Sequence, residues 1–319
     1  MQKKGVSGST LKIIAILAMI LDHIGWTLLD PIVQSDNIFR FRSSIYIKYH
    51  EAIPTLQILS EIFHAVGRIT FPIMLFLIVE GIKHTKSKAK YIRNMLIFAL
   101  ASEIPFNLAF SEKPLDLLDA FPFIRLNNIF FTLALGLIAI VICEKIMSAT
   151  NLPKLLKFVS FAGVPAFAAS VSYYLIHDIS KSFDVGFNRL AFYAAAAVLL
   201  ILCIFSMRKN ENDKNARLAL SLAVVIAAAW VSVLFSCDYT FIGIVALYFM
   251  YLLQSQKNKS YFAGCTYLAL NEYYLGFSLL ALPLVHFYNG KRGVNLKFFF
   301  YSIYPLHLIV LWMIKTSLL

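Results

Sequence analysis

Residues 67–110 read GRITFPIMLFLIVEGIKHTKSKAKYIRNMLIFALASEIPFNLAF, and this stretch decides the fold. The apolar run 69–79 leads into a cluster of five basic residues: Lys83, Lys86, Lys88, Lys90 and Arg93. A second apolar run begins at Met95, contains Glu103 and stops at Pro105. Because long apolar runs flanked by Lys and Arg are typical of membrane spans, the stretch predicts two transmembrane helices joined by a basic turn.

The composition of the whole chain indicates a polytopic membrane protein. Of 319 residues, 60% are hydrophobic and 14% are charged, with a mean hydropathy of +0.73, whereas soluble domains carry about 25% charged residues. The net charge of +12 comes from basic residues in short loops between apolar runs, so it indicates topology and not a nucleic-acid partner. The four cysteines form no C-x-x-C pair, so neither a metal site nor a disulfide framework is predicted.

The remaining apolar runs predict an all-α bundle of ten or eleven spans in a single integral-membrane domain, 1–319. Residues 261–288 are either one long span or a pair broken near Asn271, and residues 30–66 are expected to be a long outer connection with a surface helix at 55–66. The other predicted spans are 11–29, 126–143, 158–176, 190–207, 218–236, 240–254 and 298–314.

The distribution of Lys and Arg predicts the orientation. With the N-terminus inside, most of the basic residues, including the 83–93 cluster, lie on the cytoplasmic side. We therefore expect a multi-pass protein of the cytoplasmic (inner) membrane, surrounded by membrane lipid. The 289–293 loop, NGKRG, falls outside if 261–288 crosses once and inside if it crosses twice.

Ionisable residues within the predicted spans are the candidate site. Asp22 and His23 lie in the first span, Glu103 in the third and His307 in the last, after Pro305. Charged groups are costly in lipid, so they mark a functional site by default, although hydrogen-bonded pairs that hold helices together remain an alternative. Arg68 is read as a topology anchor. The other histidines are interpreted as ordinary loop or helix-end residues: His50, His64, His84, His177 and His286.

Seven blocks of sequence resemble the TraX family of membrane proteins. In chain order they are LKIIAILAMILDHIG (11–25), GRITFPIMLFLIVEGIKHT (67–85), YIRNMLIFALASEIPFNLAF (91–110), NNIFFTLALGL (127–137), DYTFIGI (238–244), FYNGKRG (287–293) and FFYSIYPLHL (299–308). The resemblance covers most of the chain, but residues 150–215 carry no recognised motif.

The resemblance implies an acyltransferase, since the family is named for the protein that acetylates the N-terminus of F pilin. It implies acetyl-CoA as donor and an amine of a peptide, or another envelope molecule, as acceptor. A more distant similarity to membrane acyltransferases of envelope glycans implies that His23 is catalytic and that Arg93 helps to bind the donor. His23 is then either a general base or a covalent acyl carrier.

The residues around His23 are consistent with that chemistry. A base of near-neutral pKa suits deprotonation of an amine, and Asp22 or Glu103 is expected to orient the imidazole, with His307 as the next candidate base. CoA is a polyanion that clustered cations attract. The expected donor-binding residues are Lys83, Lys86, Lys88, Lys90, Arg93, Lys291 and Arg292.

A proton-coupled transporter or flippase is the alternative function. Asp22, His23, Glu103 and His307 would then form a proton relay. The sequence shows no internal repeat, which many transporter folds have. Acyl-CoA turnover by the purified protein distinguishes the two functions.

Overall fold

The structure, a computed structural model, describes residues 5–34, 48–110, 128–150, 152–153, 213–271, 276–295 and 297–318. Within these ranges the regular structure is helical, with a single isolated bridge between Val6 and Tyr288. The predicted all-α class is therefore confirmed. The chain forms two compact units, 1–134 with 235–319, and 135–234.

Eleven α-helices are present in the described ranges. The first ends in a π-helical turn, Gly25–Leu29, and the tenth follows a 3-10 turn, Phe277–Leu280. In chain order they are α1 Gly8–Ile24, α2 Asp30–Val33, α3 Ile53–Gly67, α4 Thr70–His84, α5 Lys88–Phe110, α6 Ile129–Ser148, α7 Asp213–Leu234, α8 Thr240–Leu252, α9 Lys257–Asn271, α10 Ala281–His286 and α11 Lys297–Leu318.

Five helical segments in the described part of the chain are long and apolar enough to cross a membrane. They are Gly8–Val33, His50–His84, Ile129–Ser148, Ala216–Leu234 and Phe299–Leu318. The multi-spanning class follows from them, but the predicted number of ten or eleven spans does not. The predicted spans 158–176 and 190–207 lie outside the described residues.

Two local predictions are wrong. The third span does not stop at Pro105, because α5 continues through this proline to Phe110. Ending the helix in an apolar environment would leave several backbone N–H and C=O groups without hydrogen-bond partners, whereas a proline within the helix removes only one N–H donor. The segment predicted as a surface helix at 55–66 is α3, which packs against α1 and buries His64. Its apolar face is continuous with α4 across the break at Arg68.

Residues 261–288 form a broken pair. α9 ends at Asn271, and the chain returns through the 3-10 turn and α10. The following loop, 287–295, pairs with the start of the chain: Val6 N donates to Phe287 O (2.9 Å) and Gly8 N donates to Lys291 O (2.8 Å). The NGKRG loop therefore lies at the same end of the molecule as residues 5–9.

This end of the first unit, which we call the basic end, also holds the turns before α5 and before α9. Lys83 Nζ donates to Gln254 O (3.1 Å), and Lys257 Nζ donates to Tyr288 O (3.2 Å). We call the opposite end, where α2 and the 3-10 turn His50–Ala52 lie, the far end.

The second unit contains most of α6 and all of α7. Cys143 on α6 is buried and its thiol donates to Ser221 O (3.4 Å) on α7. Arg217 reaches Thr150 O (3.0 Å) beyond the end of α6. These contacts join the two helices.

Candidate functional site

A cavity of about 600 Å³ extends through the first unit from the basic end. It follows α1 from Gly8 to His23, a rise of about 22 Å at 1.5 Å per residue. α4, α5, α11 and the first turns of α6 form its other walls. Among the described residues, none of those beyond His23 on α1 lines the cavity, so His23 lies at its inner end.

Cations and polar groups line the cavity near the basic end. Lys12 on α1 and Arg292 in the 287–295 loop both face it, together with Glu80 and His84 from α4. Lys12 Nζ lies over the ring of Phe300, 5.2 Å from its centroid, and Arg292 donates to Asn295 Oδ1 (2.8 Å). Two neighbouring cations favour an anion between them, so this mouth suits a phosphate group.

His23 and His307 form a directly hydrogen-bonded pair at the inner end. His23 Nδ1 lies 2.7 Å from His307 Nε2, and His307 Nδ1 lies 2.8 Å from the carbonyl oxygen of Ile303. A carbonyl only accepts, so His307 Nδ1 carries a proton and, in the neutral ring, Nε2 accepts from His23 Nδ1–H. Neutral His23 therefore has an unprotonated Nε2, the form that a general base requires.

The ring of His23 is held by packing as well as by this bond. The edges of Phe110 and Tyr304 face it, with ring centroids at 5.1 and 6.1 Å. Thr27 donates to the backbone carbonyl of His23 (2.6 Å). The imidazole therefore packs between side chains of α5 and α11.

A second polar network begins beside His23 and joins α1, α2 and α3. His64 Nδ1 lies 2.8 Å from Asp22 Oδ1, and His64 Nε2 lies 3.1 Å from Asp30 Oδ2. Arg68 donates to both oxygens of Asp22 at 3.2 and 3.3 Å, and Ser60 donates to Asp30. Two acids thus face two basic side chains inside the protein.

Two glycines allow α1 and α3 to approach at this network. A Cβ at Gly67 would overlap the side chain of Asp22 and lie 2.7 Å from its Oδ1. A Cβ at Gly25 would lie 2.8 Å from Cε1 of His64. Only glycine leaves room for the side chains of Asp22 and His64 at these positions. The two glycines therefore allow α1 and α3 to come close enough for the network to form.

Of the predicted catalytic residues, the structure brings together three and separates the fourth. Asp22 and His23 line the inner end of the cavity, and His307 bonds His23. Asp22 was predicted to orient His23, but its carboxylate bonds His64 and Arg68, and His307 is the residue that bonds the His23 ring. Glu103 instead accepts a hydrogen bond from Asn107 (3.0 Å) within α5 and one from Asn128 (2.6 Å), and the second bond ties α5 to the start of α6.

The predicted donor-binding residues are also divided. Arg292 lines the cavity, whereas Lys83 pairs with Glu80 (2.6 Å) at its rim. The remaining predicted cations do not belong to the described lining of the cavity: Lys86, Lys88, Lys90, Arg93 and Lys291.

Sequence reasoning missed His64, Arg68, Lys12 and Asp238 as site residues. His64 and Arg68 are four residues apart in an apolar stretch. In a helix this spacing places both side chains on one face, and it was the feature of the sequence that could have indicated a shared site. Lys12 lies three turns before His23 on α1 and lines the same cavity. Asp238, which lines the cavity together with Tyr239, gave no sequence signal beyond the DYTFIGI block.

The fold and site define a helical, multi-spanning membrane protein with a cavity that reaches His23, one member of a bonded histidine pair. The family model described as TraX protein matches residues 7–196 and 167–315. The chain therefore belongs to the TraX family, as the sequence blocks predicted. It is 26% identical over 315 residues to the "Probable fimbrial assembly protein FimC, serogroup H1" of Dichelobacter nodosus, covering 98% of this chain and 97% of that protein. No solved structure matches the chain.

Proposed function

We propose that this protein is a membrane-embedded acyltransferase that moves an acetyl group from acetyl-CoA to an amine. The observation that carries the proposal is the unprotonated Nε2 of His23 at the inner end of a deep cavity. The cavity volume lies within the range of small-molecule sites. Its extent of about 22 Å along α1 suits the extended pantetheine arm of CoA, which would bring the thioester to His23.

Lys12 and Arg292 are the proposed partners of the donor phosphates. Both line the mouth at the basic end, and charge-assisted bonds to phosphate are among the strongest that side chains make. CoA thioesters are made in the cytoplasm, so the basic end faces the cytoplasm in this proposal. The excess of Lys and Arg at this end supports that orientation.

The reaction proceeds by direct attack of a neutral amine on the thioester. His23 Nε2 takes a proton from the amine while the nitrogen bonds to the carbonyl carbon, the C–S bond breaks, and the sulfur leaves as the thiolate and then takes a proton. His307 accepts the Nδ1–H of His23 and so stabilises the imidazolium. An acceptor that arrives as an ammonium ion leaves one proton to be released for each acetyl transferred.

A peptide N-terminus of the pilin class is the proposed acceptor. Membership of the TraX family and the similarity to a fimbrial assembly protein support it. The secondary candidate is a proton-coupled transporter, and the observation that favours it is the Asp22–His64–Asp30 network beyond the cavity.

Turnover of labelled acetyl-CoA by the purified protein, with a pilin-type peptide as acceptor, tests the proposal. His23→Ala is expected to lower kcat by about 10²- to 10⁴-fold while acetyl-CoA binding is retained. His286→Ala is the matched control, because this histidine is exposed and lies outside the cavity lining. Full activity of His23→Ala contradicts its role as base, and label retained on His23 without acceptor indicates a covalent route. A transporter would show no turnover.

A further inference from the structure

The cavity stops where a line of titratable side chains begins. Asp22 lines the cavity and bonds His64, which in turn bonds Asp30. We call these three residues the Asp–His–Asp line. From Gly8 to Asp30 the helix axis rises about 33 Å, close to the roughly 30 Å of a bilayer's hydrocarbon core. Together, the cavity and the line therefore cover the whole depth of the span.

The π-helical turn of α1 aligns the line. In an ideal α-helix, two residues eight positions apart differ by about 80° around the axis. Asp30 N donates to Gly25 O, a π-type bond, and such a turn absorbs about one additional residue. The angle between Asp22 and Asp30 around the helix axis then falls to about 20°, so both carboxylates face His64. π-turns are frequent at functional sites.

The charge balance of the line suits proton transfer. An ionised carboxylate only accepts hydrogen bonds, so each ring nitrogen of His64 donates a proton and the ring is an imidazolium. Arg68 is the other cation that faces Asp22, and Trp26 packs on the imidazole at 4.8 Å. His64 is 4% exposed, whereas Asp22 and Asp30 are 15% and 18% exposed, so both ends of the line are more accessible than the ring between them.

A purely structural role would not require this arrangement. Arg68 alone neutralises Asp22, and the helix contact at Gly67 and Gly25 already joins α1 to α3. A second, partly buried acid and a second, buried cation add desolvation cost with little net stability. Asp30 and His64 are therefore best explained by a function.

We propose that the Asp–His–Asp line carries the proton released by acyl transfer from the cavity to the far end. This inference rests on the proposed function. The acceptor ammonium loses one proton when its nitrogen forms the amide, and the CoA sulfur ends as a thiol. For each acetyl transferred, the imidazolium of His64 gives its Nε2 proton to Asp30, from which one proton leaves at the far end. One proton enters at Asp22, and the neutral ring of His64 turns so that its unprotonated nitrogen takes that proton from Asp22, which restores the imidazolium. No other reactant is needed.

The test uses the full-length protein in sealed vesicles with a pH-sensitive dye inside and the acceptor peptide on both sides. Acetyl-CoA is added only outside, and because it does not cross the bilayer, only molecules with the basic end outward turn over. We expect the lumen to acidify in proportion to the acetyl transferred. Acid that appears in the outer medium instead overturns the inference and leaves the proposed function intact.

Two variants address the line itself. His64→Gln keeps a hydrogen-bonding side chain but cannot relay a proton, and Asp30→Asn blocks the exit without changing its shape. Each variant is expected to transfer acetyl groups about tenfold more slowly and to release no proton into the lumen for each acetyl group transferred. Binding of acetyl-CoA is measured in parallel to show that each variant is folded. His286→Gln serves as the control.

The remaining outcomes are equally decisive. Normal lumen acidification in both variants overturns the role of the line. Acidification by the parent without acetyl-CoA indicates a proton transporter and also overturns it. Absence of any acetyl transfer by the parent overturns the proposed function, and this inference with it.

Discussion

At the residue scale, His307 decides which nitrogen of His23 is basic. Its Nδ1 proton is committed to the carbonyl of Ile303, and its Nε2 faces His23. The two histidines are 284 positions apart in the chain. The tautomer of His23, in the first span, is therefore set by a residue of the last helix. We regard His307 as a positioning residue that acts through His23.

Substitution of His307 is expected to affect turnover more than binding. His307→Leu removes the acceptor of the His23 Nδ1 proton and should lower kcat by about 10- to 100-fold, less than loss of the base itself. The KM for acetyl-CoA should stay the same. His307→Gln offers an amide oxygen to His23 and should restore part of the activity. Equal losses in both variants, or a change in KM alone, would show that His307 has a different role.

At the element scale, the contact between α1 and α3 fixes the second network. Gly67→Ala places a methyl group where Asp22 lies, and overpacking of this kind costs about 1–3 kcal/mol. We expect a lower thermal midpoint and a loss of transfer activity. Gly264→Ala on α9 is the control for overpacking, because its Cβ would meet the flexible side chain of Met250 and both residues lie outside the cavity lining. Similar effects of the two substitutions would show that the Asp22 contact is unimportant.

The cavity mouth and the basic turn before α5 make different predictions for donor binding. Lys12→Gln and Arg292→Gln remove cations that line the cavity, and each should raise the KM for acetyl-CoA about tenfold, since a hydrogen bond to a charged group contributes roughly 1.5–3 kcal/mol. The triple change Lys86→Gln, Lys88→Gln, Lys90→Gln acts only through a field that salt screens within about 8 Å. Its effect should be smaller and should disappear at high salt. A larger effect of the triple change would indicate that the donor binds at the basic turn before α5, as the sequence predicted.

At the scale of the whole molecule, the basic end should face one compartment. In a background without the four native cysteines, Ser87→Cys and Asn295→Cys should react from the cytoplasmic side with an impermeant thiol reagent. Gln34→Cys, at the far end, should react from the opposite side. All three positions are exposed. Labelling of Ser87→Cys and Asn295→Cys from different sides would contradict the fold, whereas labelling of both from outside would contradict only the orientation.

The sequence by itself determined the class of protein, most helix positions and the family. Apolar runs and loop charges are properties of short segments, so they can be read without tertiary structure. The same reasoning identified Asp22, His23 and His307, because an ionisable residue in a span stands out wherever it packs. It failed at Pro105, where continuity of the helix outweighed a local breaker.

Only the tertiary structure decided which of these residues meet. His64 looked like an ordinary helix-end residue, yet α3 brings it between Asp22 and Asp30. Glu103 looked central, yet its partners are Asn107 and Asn128. The physical reason is that helix contacts depend on side-chain shape across distant segments, such as the space left by Gly67, and not on the polarity of either segment alone.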